Sequence, residues 1–166
     1  MASMIWPFDP RILIQPQDPL VFDLAWKLGD PKAIFEYVRD GIEYRMEEGE
    51  IWRSPAETIV LGQEDCDGKA ILLVSMLKAI GEDAYVRIIK FPYGGHATVV
   101  WRGRYLDPSA NQAFEEDIAY GPYEVIADFD DIRLDVYKEE PFLNIMLGWA
   151  NKLDKLGKVR GLRGCG

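Results

Sequence analysis

The sequence predicts an α+β fold with a mainly antiparallel sheet. Three features predict it. Helical apolar spacing dominates as far as Gly81, and β-branched and aromatic runs broken by turn residues dominate from Asp83 onward. Where the two regimes meet, Ala70 to Leu77 is an almost unbroken apolar stretch. At 166 residues, 48% hydrophobic and 28% charged, the chain has the balance of a globular protein, expected as one domain over 1–166.

Residues 1–18 are proline-rich and read as an irregular N-terminal arm. "DPLVFDLAWKLGD" carries helical spacing through Leu20, Phe22, Leu24, Ala25 and Leu28, and Gly29 stops it. Asp30-Pro31 opens a second helix, with an acid as N-cap and proline at the first helical position. Ile34, Tyr37, Val38 and Ile42 stripe it, and the run "RMEEGE" is expected to close it. Ser54-Pro55-Ala56-Glu57 spells a capping box, so a short helix runs from there to Gly62. Asp65 can cap the next helix, which carries Ile71, Leu72, Leu73, Val74, Met76, Leu77 and Ile80. Only Lys69, Ser75 and Lys78 interrupt those residues, so this helix is buried nearly all round at the centre.

"AYVRIIKF", "HATVVW" and "RYLD" then read as strands, with turns at Pro92–Gly95 and Arg102-Gly103; "YEVIADF" and "IRLDVYK" add two more. From Pro141, Phe142, Ile145, Met146, Trp149, Leu153 and Leu156 give a closing amphipathic helix, followed by a basic tail at 160–166.

The net charge of −9 excludes a surface built for a nucleic-acid backbone. No apolar run is long enough to span a bilayer, and the N-terminus shows no basic-then-apolar leader pattern, so no membrane partner and a cytoplasmic location are expected. The two cysteines, Cys66 and Cys165, lie far apart, and in a reducing compartment no bridge between them is expected. No Cys-x-x-Cys or His-x-x-x-His pair is present, so neither a metal nor another cofactor is expected. "ADFDDIRLD" clusters Asp128, Asp130, Asp131 and Asp135 without the central glycine or closing glutamate of a calcium loop, and reads as a solvated strand edge.

The chemistry centres on "GQEDCDGK". Cys66 falls in the first turn of the buried helix, where the partial positive charge of the helix end favours a thiolate and backbone N–H groups can face an oxyanion. The same position also suits a small packing residue. If Arg102-Gly103 is a two-residue hairpin turn, Trp101 pairs with Arg104, Val100 with Tyr105 and Thr98 with Asp107. Strand alternation then puts His96 on the face of Asp107, as a diagonal neighbour within imidazole–carboxylate reach. A three-residue bulged turn would put the two on opposite faces. His96 is the only histidine of the chain.

"WRSPAETIVLGQEDCDGKAILLVSMLKAIGEDAYVRI", with "GGHATVVW" and "RYLDPSA", resembles the catalytic core of the transglutaminase-like superfamily across roughly residues 52–111. The resemblance implies a papain-like fold and a cysteine peptidase or amidase that cleaves a peptide or protein substrate through an acyl-enzyme. It assigns Cys66 as nucleophile, His96 as general base and acid, and Asp107 as orienter of the imidazole. For the oxyanion it implies the Cys66 N–H with a side-chain donor from Gln63 or Trp52. Asp67 stands where cross-linking members carry an aromatic residue, which favours hydrolysis over transamidation. A non-catalytic binding module on the same fold is the alternative from another class.

Overall fold

The computed structural model describes residues 8–46 and 52–138. The closing helix expected from Pro141, the 160–166 tail and Cys165 lie outside the described residues.

α1 (Pro19–Leu28) starts where the Asp18 carboxylate accepts from the Leu20 and Val21 N–H groups, and ends at Gly29, whose φ of 87° is left-handed. α2 (Pro31–Glu36) is capped by Asp30 and winds out through a π turn at Tyr37–Gly41. The helix therefore closes before the acidic run that was expected to end it. In its place Glu43–Tyr44 forms a short strand, β1. α3 (Pro55–Leu61) has both halves of its capping box, with Ser54 Oγ accepting from the Glu57 N–H and the Glu57 carboxylate accepting from the Ser54 N–H. β2 (Gln63–Glu64) pairs with β1 in parallel and leads straight into α4 (Cys66–Ala79). The arm expected to be irregular contains one 3-10 turn, Pro10–Leu13, capped by Asp9.

The second half is a five-stranded antiparallel sheet of β3 (Ala84–Phe91), β4 (Gly94–Trp101), β5 (Arg104–Leu106), β6 (Glu124–Phe129) and β7 (Leu134–Val136). Its spatial order is β5-β4-β3-β6-β7. The predicted hairpin register is the observed one: Trp101 faces Arg104 and Val100 faces Tyr105. Arg102 and Gly103 both have positive φ, at 49° and 75°, the conformation a two-residue hairpin turn requires. Arginine is a rare occupant of that region. Here its guanidinium is held by the Glu82 carboxylate and lies over the Trp101 ring.

α4 packs on β3 and β4 with one side and on α1, α2 and α3 with the other. That double contact explains its composition, because both sides of the helix must be apolar. The interruptions at Lys69 and Ser75 are buried as well. Lys69 Nζ donates to the Arg39 and Ile42 carbonyls at the end of the π turn, groups that the unwinding helix leaves without intrahelical donors. Ser75 Oγ donates to the Ile71 carbonyl and accepts from the Gln15 N–H.

The aspartates of β6 and β7 correct the sequence reading. Asp128 is buried in a bidentate pair with Arg87 across the sheet, at 2.8 Å for each contact. Asp130 is also buried, and its Oδ1 accepts from the Ile132 and Arg133 N–H groups to close the β6–β7 turn. Only part of this cluster is a solvated edge.

Candidate active site

The site lies where α4 meets β4. Cys66 is the first residue of α4, fully buried, directly after the Asp65 N-cap whose carboxylate accepts from the Gly68 N–H. Asp65 thus spends its charge on the helix end, as the sequence predicts. Cys66 is disulfide-bonded in this structure, against the expectation from cysteine spacing and compartment.

His96 and Asp107 are both fully buried, and His96 Nε2 stands 2.6 Å from Asp107 Oδ2. The sequence predicts this neighbourhood because the two-residue turn puts both side chains on one face of adjoining strands. The turn after β5 then aims the carboxylate. The Ser109 N–H donates to Asp107 Oδ1, the Asp107 N–H donates to Gln112 Oε1, and Gln112 Nε2 ties back to the Tyr105 and Glu116 carbonyls. Tyr120 donates to the same Oδ2 at 2.6 Å. Burial alone would raise the Asp107 carboxyl; the charge of His96 and the hydrogen bonds from His96, Tyr120 and the Ser109 N–H hold it below its ordinary value.

Burial raises the carboxyls of two acids beside Cys66. Glu64 is 1% exposed, and its carboxylate accepts from the Asp65 N–H and Thr58 Oγ1, with Arg53 Nη1 3.3 Å away. Burial, with the charge of Asp65, pushes Glu64 up to about 7, and its partners offset only part of that rise. Asp67 as a residue is half-buried, but its Oδ1 is sealed from solvent without a hydrogen-bond partner, and burial of the carboxyl pushes it up too. With its carboxyl at about 7, Glu64 is only partly ionised near neutrality and opposes a thiolate less than a full charge would.

The two residues considered for the oxyanion are placed differently. Gln63, on β2 three residues before Cys66, has its Oε1 engaged by Arg45. Trp52 packs edge-to-face on Phe8, with ring centres 5.2 Å apart. Tyr120, Gln112 and Thr58 escaped the sequence reading. Tyr120 and Gln112 lie in an irregular loop with no periodicity to mark them, and Thr58 reads as one residue of a short helix.

A cavity of about 310 Å³, lined by Lys90, Phe91, Pro92, Pro122, Tyr123 and Glu124, opens beside this centre, and the Phe91 ring lies 6.3 Å from that of His96. A larger one, about 480 Å³, lies on α3 around Ala56, Val60 and Leu61. Among the described residues no three or more His, Cys, Asp or Glu side chains gather as a metal site. No helix among them is long and apolar enough to cross a membrane.

Helices packed on a five-stranded antiparallel sheet, with the cysteine opening the buried helix, make an α+β architecture of the papain-like kind. Solved structures with this architecture include LapG of Legionella pneumophila. Its EGTA-treated form superposes with a TM-score of 0.54 at 19% identity, over 70% of this chain and 73% of that one. The calcium-bound form gives 0.51 at 16%, over 82% and 86%. A candidate cysteine protease of Cytophaga hutchinsonii gives 0.47 at 16%, over 83% of this chain and 57% of that one. At these identities the likeness to LapG is one of fold. No family model and no curated protein matches the chain.

Proposed function

We propose that the chain is a cysteine hydrolase that cleaves a peptide or amide bond through an acyl-enzyme on Cys66. One observation carries the reading: a fully buried imidazole–carboxylate pair, His96 and Asp107, on the sheet against which the Cys66 helix packs. With Nε2 committed to Asp107, Nδ1 is the ring nitrogen left to act on the thiol.

In the reduced chain His96 takes the thiol proton, and the pair is held as thiolate and imidazolium by Asp107 and the start of α4. The thiolate attacks the substrate carbonyl carbon. The resulting oxyanion is met by backbone N–H groups at the helix start, with Gln63 or Trp52 as the side-chain donor. Collapse expels the amine, which takes its proton from His96, and leaves a thioester. Water then attacks, gives a proton to His96, and releases the acid and the thiol. An amine in place of water would make the reaction a transamidation. The cavity at Phe91 and Tyr123 suits an apolar side chain of the substrate. A reducing compartment such as the cytoplasm would open the Cys66 disulfide and free a working thiol, and a net charge of −9 suits a peptide rather than a nucleic acid.

The test is alkylation of Cys66 by iodoacetamide after reduction, followed by mass spectrometry. Fast labelling near neutral pH that collapses in His96→Ala and is untouched by Cys165→Ser supports the hydrolase. Labelling at the rate of a free thiol in both the wild type and His96→Ala refutes it and leaves the binding-module reading. Hydrolysis of a peptide library without incorporation of a labelled amine separates hydrolase from transamidase.

A further inference from the structure

Tyr120 makes a contact that core packing does not require. It lies in the loop between β5 and β6, and its ring is caged by Phe91, Tyr105 and Tyr123 at centroid distances of 5.8, 5.2 and 5.8 Å. It also meets the His96 ring edge-on at 6.0 Å, so one side chain touches both members of the buried pair. Its hydroxyl is 2.6 Å from Asp107 Oδ2 and 2.7 Å from Thr98 Oγ1. A phenol has one proton, and the ionised acceptor makes the stronger bond.

We infer that Tyr120 is a positioning residue of the reaction proposed above: its hydroxyl holds Asp107 as the anion that orients His96, and keeps Oδ2 pointed at the imidazole. This rests on the hydrolase reading. The groups that hydrogen-bond Asp107 are His96 from β4, Tyr120 from the loop, and Ser109 and Gln112 from its own turn, with Thr98 of β4 meeting the same phenol. Of these only His96 and Tyr120 titrate. Burial and the adjacent carboxylate push the Tyr120 phenol well above its ordinary range, so it remains a donor throughout the working pH range.

Without the phenol Oδ2 keeps His96 as its donor but loses the second one, and a buried carboxylate with fewer donors protonates more readily. The pair would then lose its orienting charge at a higher pH than before. Tyr120→Phe keeps the ring and its cage and deletes only the donor. Tyr105→Phe is the control: its hydroxyl meets Tyr123 and Arg87 rather than Asp107.

The experiment is the pH profile of Cys66 alkylation in the reduced full chain, for the wild type and both variants. Tyr120→Phe is expected to lower the plateau rate about tenfold and to move the acid limb upward by roughly half a pH unit or more, while Tyr105→Phe follows the wild type. Because the chain has one histidine, ¹⁵N-histidine NMR reports a single ring. Its Nε2 proton resonance should move in Tyr120→Phe and not in Tyr105→Phe. If Tyr120→Phe does not fold, 3-fluorotyrosine placed at position 120, a stronger donor of nearly the same shape, should move the acid limb downward. A wild type whose Cys66 reacts as a free thiol, independent of His96, overturns the hydrolase reading and this assignment with it. A fast, His96-dependent wild type whose acid limb is unchanged in Tyr120→Phe, or unmoved by the fluorinated residue, overturns the assignment alone.

Discussion

Glu64 occupies the space that a side chain at Gly68 would need: a Cβ built on Gly68 would stand 1.9 Å from Glu64 Cγ and 2.3 Å from its Cδ. The glycine in the first turn of α4 is thus a seat for the buried acid two residues before Cys66. In an ordinary helix interior Gly→Ala stabilises by about 1 kcal/mol. Here Gly68→Ala is expected to destabilise by about 1–3 kcal/mol, because the atoms that collide are the stem of a buried side chain. Urea denaturation of Gly68→Ala, Glu64→Ala and the double variant checks this. The double variant should recover part of the loss, and strict additivity would mean the contact is not the cause.

Glu64 also sets a pH dependence of stability. Its carboxyl rises from 4.5 to about 7 in the folded chain, so folding favours the protonated form. The stability this contributes is fully present below about pH 4.5 and is lost as pH rises through about 7. The shift corresponds to roughly 3 kcal/mol at most. Glu64→Gln, which keeps the shape without the charge, should flatten this decline. Its advantage over the wild type should grow between pH 5 and 8 in denaturation midpoints, and a constant difference across that window would contradict the assignment.

Replacing Asp107 separates orientation from charge. The alanine variant should lose about 10²–10⁴-fold in the His96-dependent alkylation rate of Cys66. Asparagine should lose far less, because its one side-chain oxygen can still accept from His96 Nε2, although it cannot also serve the Ser109 N–H as Oδ1 does. Equal rates for the two variants would show that the negative charge matters more than the aim.

The two carbonyls bound by Lys69 Nζ predict a structural cost at that position. Lys69→Met keeps most of the volume and leaves the Arg39 and Ile42 carbonyls unsatisfied, which should cost about 2–4 kcal/mol. Thermal melting tests it. A neutral or stabilising result would show that desolvating the ammonium costs as much as its hydrogen bonds return.

Much of this was legible in the chain because local chemistry agreed with the global fold. Asp18, Asp30, Ser54 and Asp65 each announce a helix start, and each caps one. The His96–Asp107 neighbourhood followed from counting across one hairpin turn. What escaped was non-local. Lys69 and Asp128 look like surface charges until a distant carbonyl or Arg87 is seen to meet them. β1 and β2 are two residues each, too short for alternation to register, and they exist because the chain from Gly62 to Glu64 runs beside Glu43 and Tyr44. Tyr120 sits in a loop ordered by contacts with residues distant in sequence, which no periodicity marks.

The Arg102-Gly103 turn acts as a ruler. Its two residues fix the count that puts Asp107 on the histidine's side of the sheet, so the chemistry depends on an arithmetic parity some distance from any reacting atom. One residue added there would leave every candidate catalytic side chain in place in the sequence and turn Asp107 away from His96. Two would make a four-residue loop, which keeps the register. Along this lineage, insertions at that hairpin should be filtered by odd and even length before they are filtered by composition.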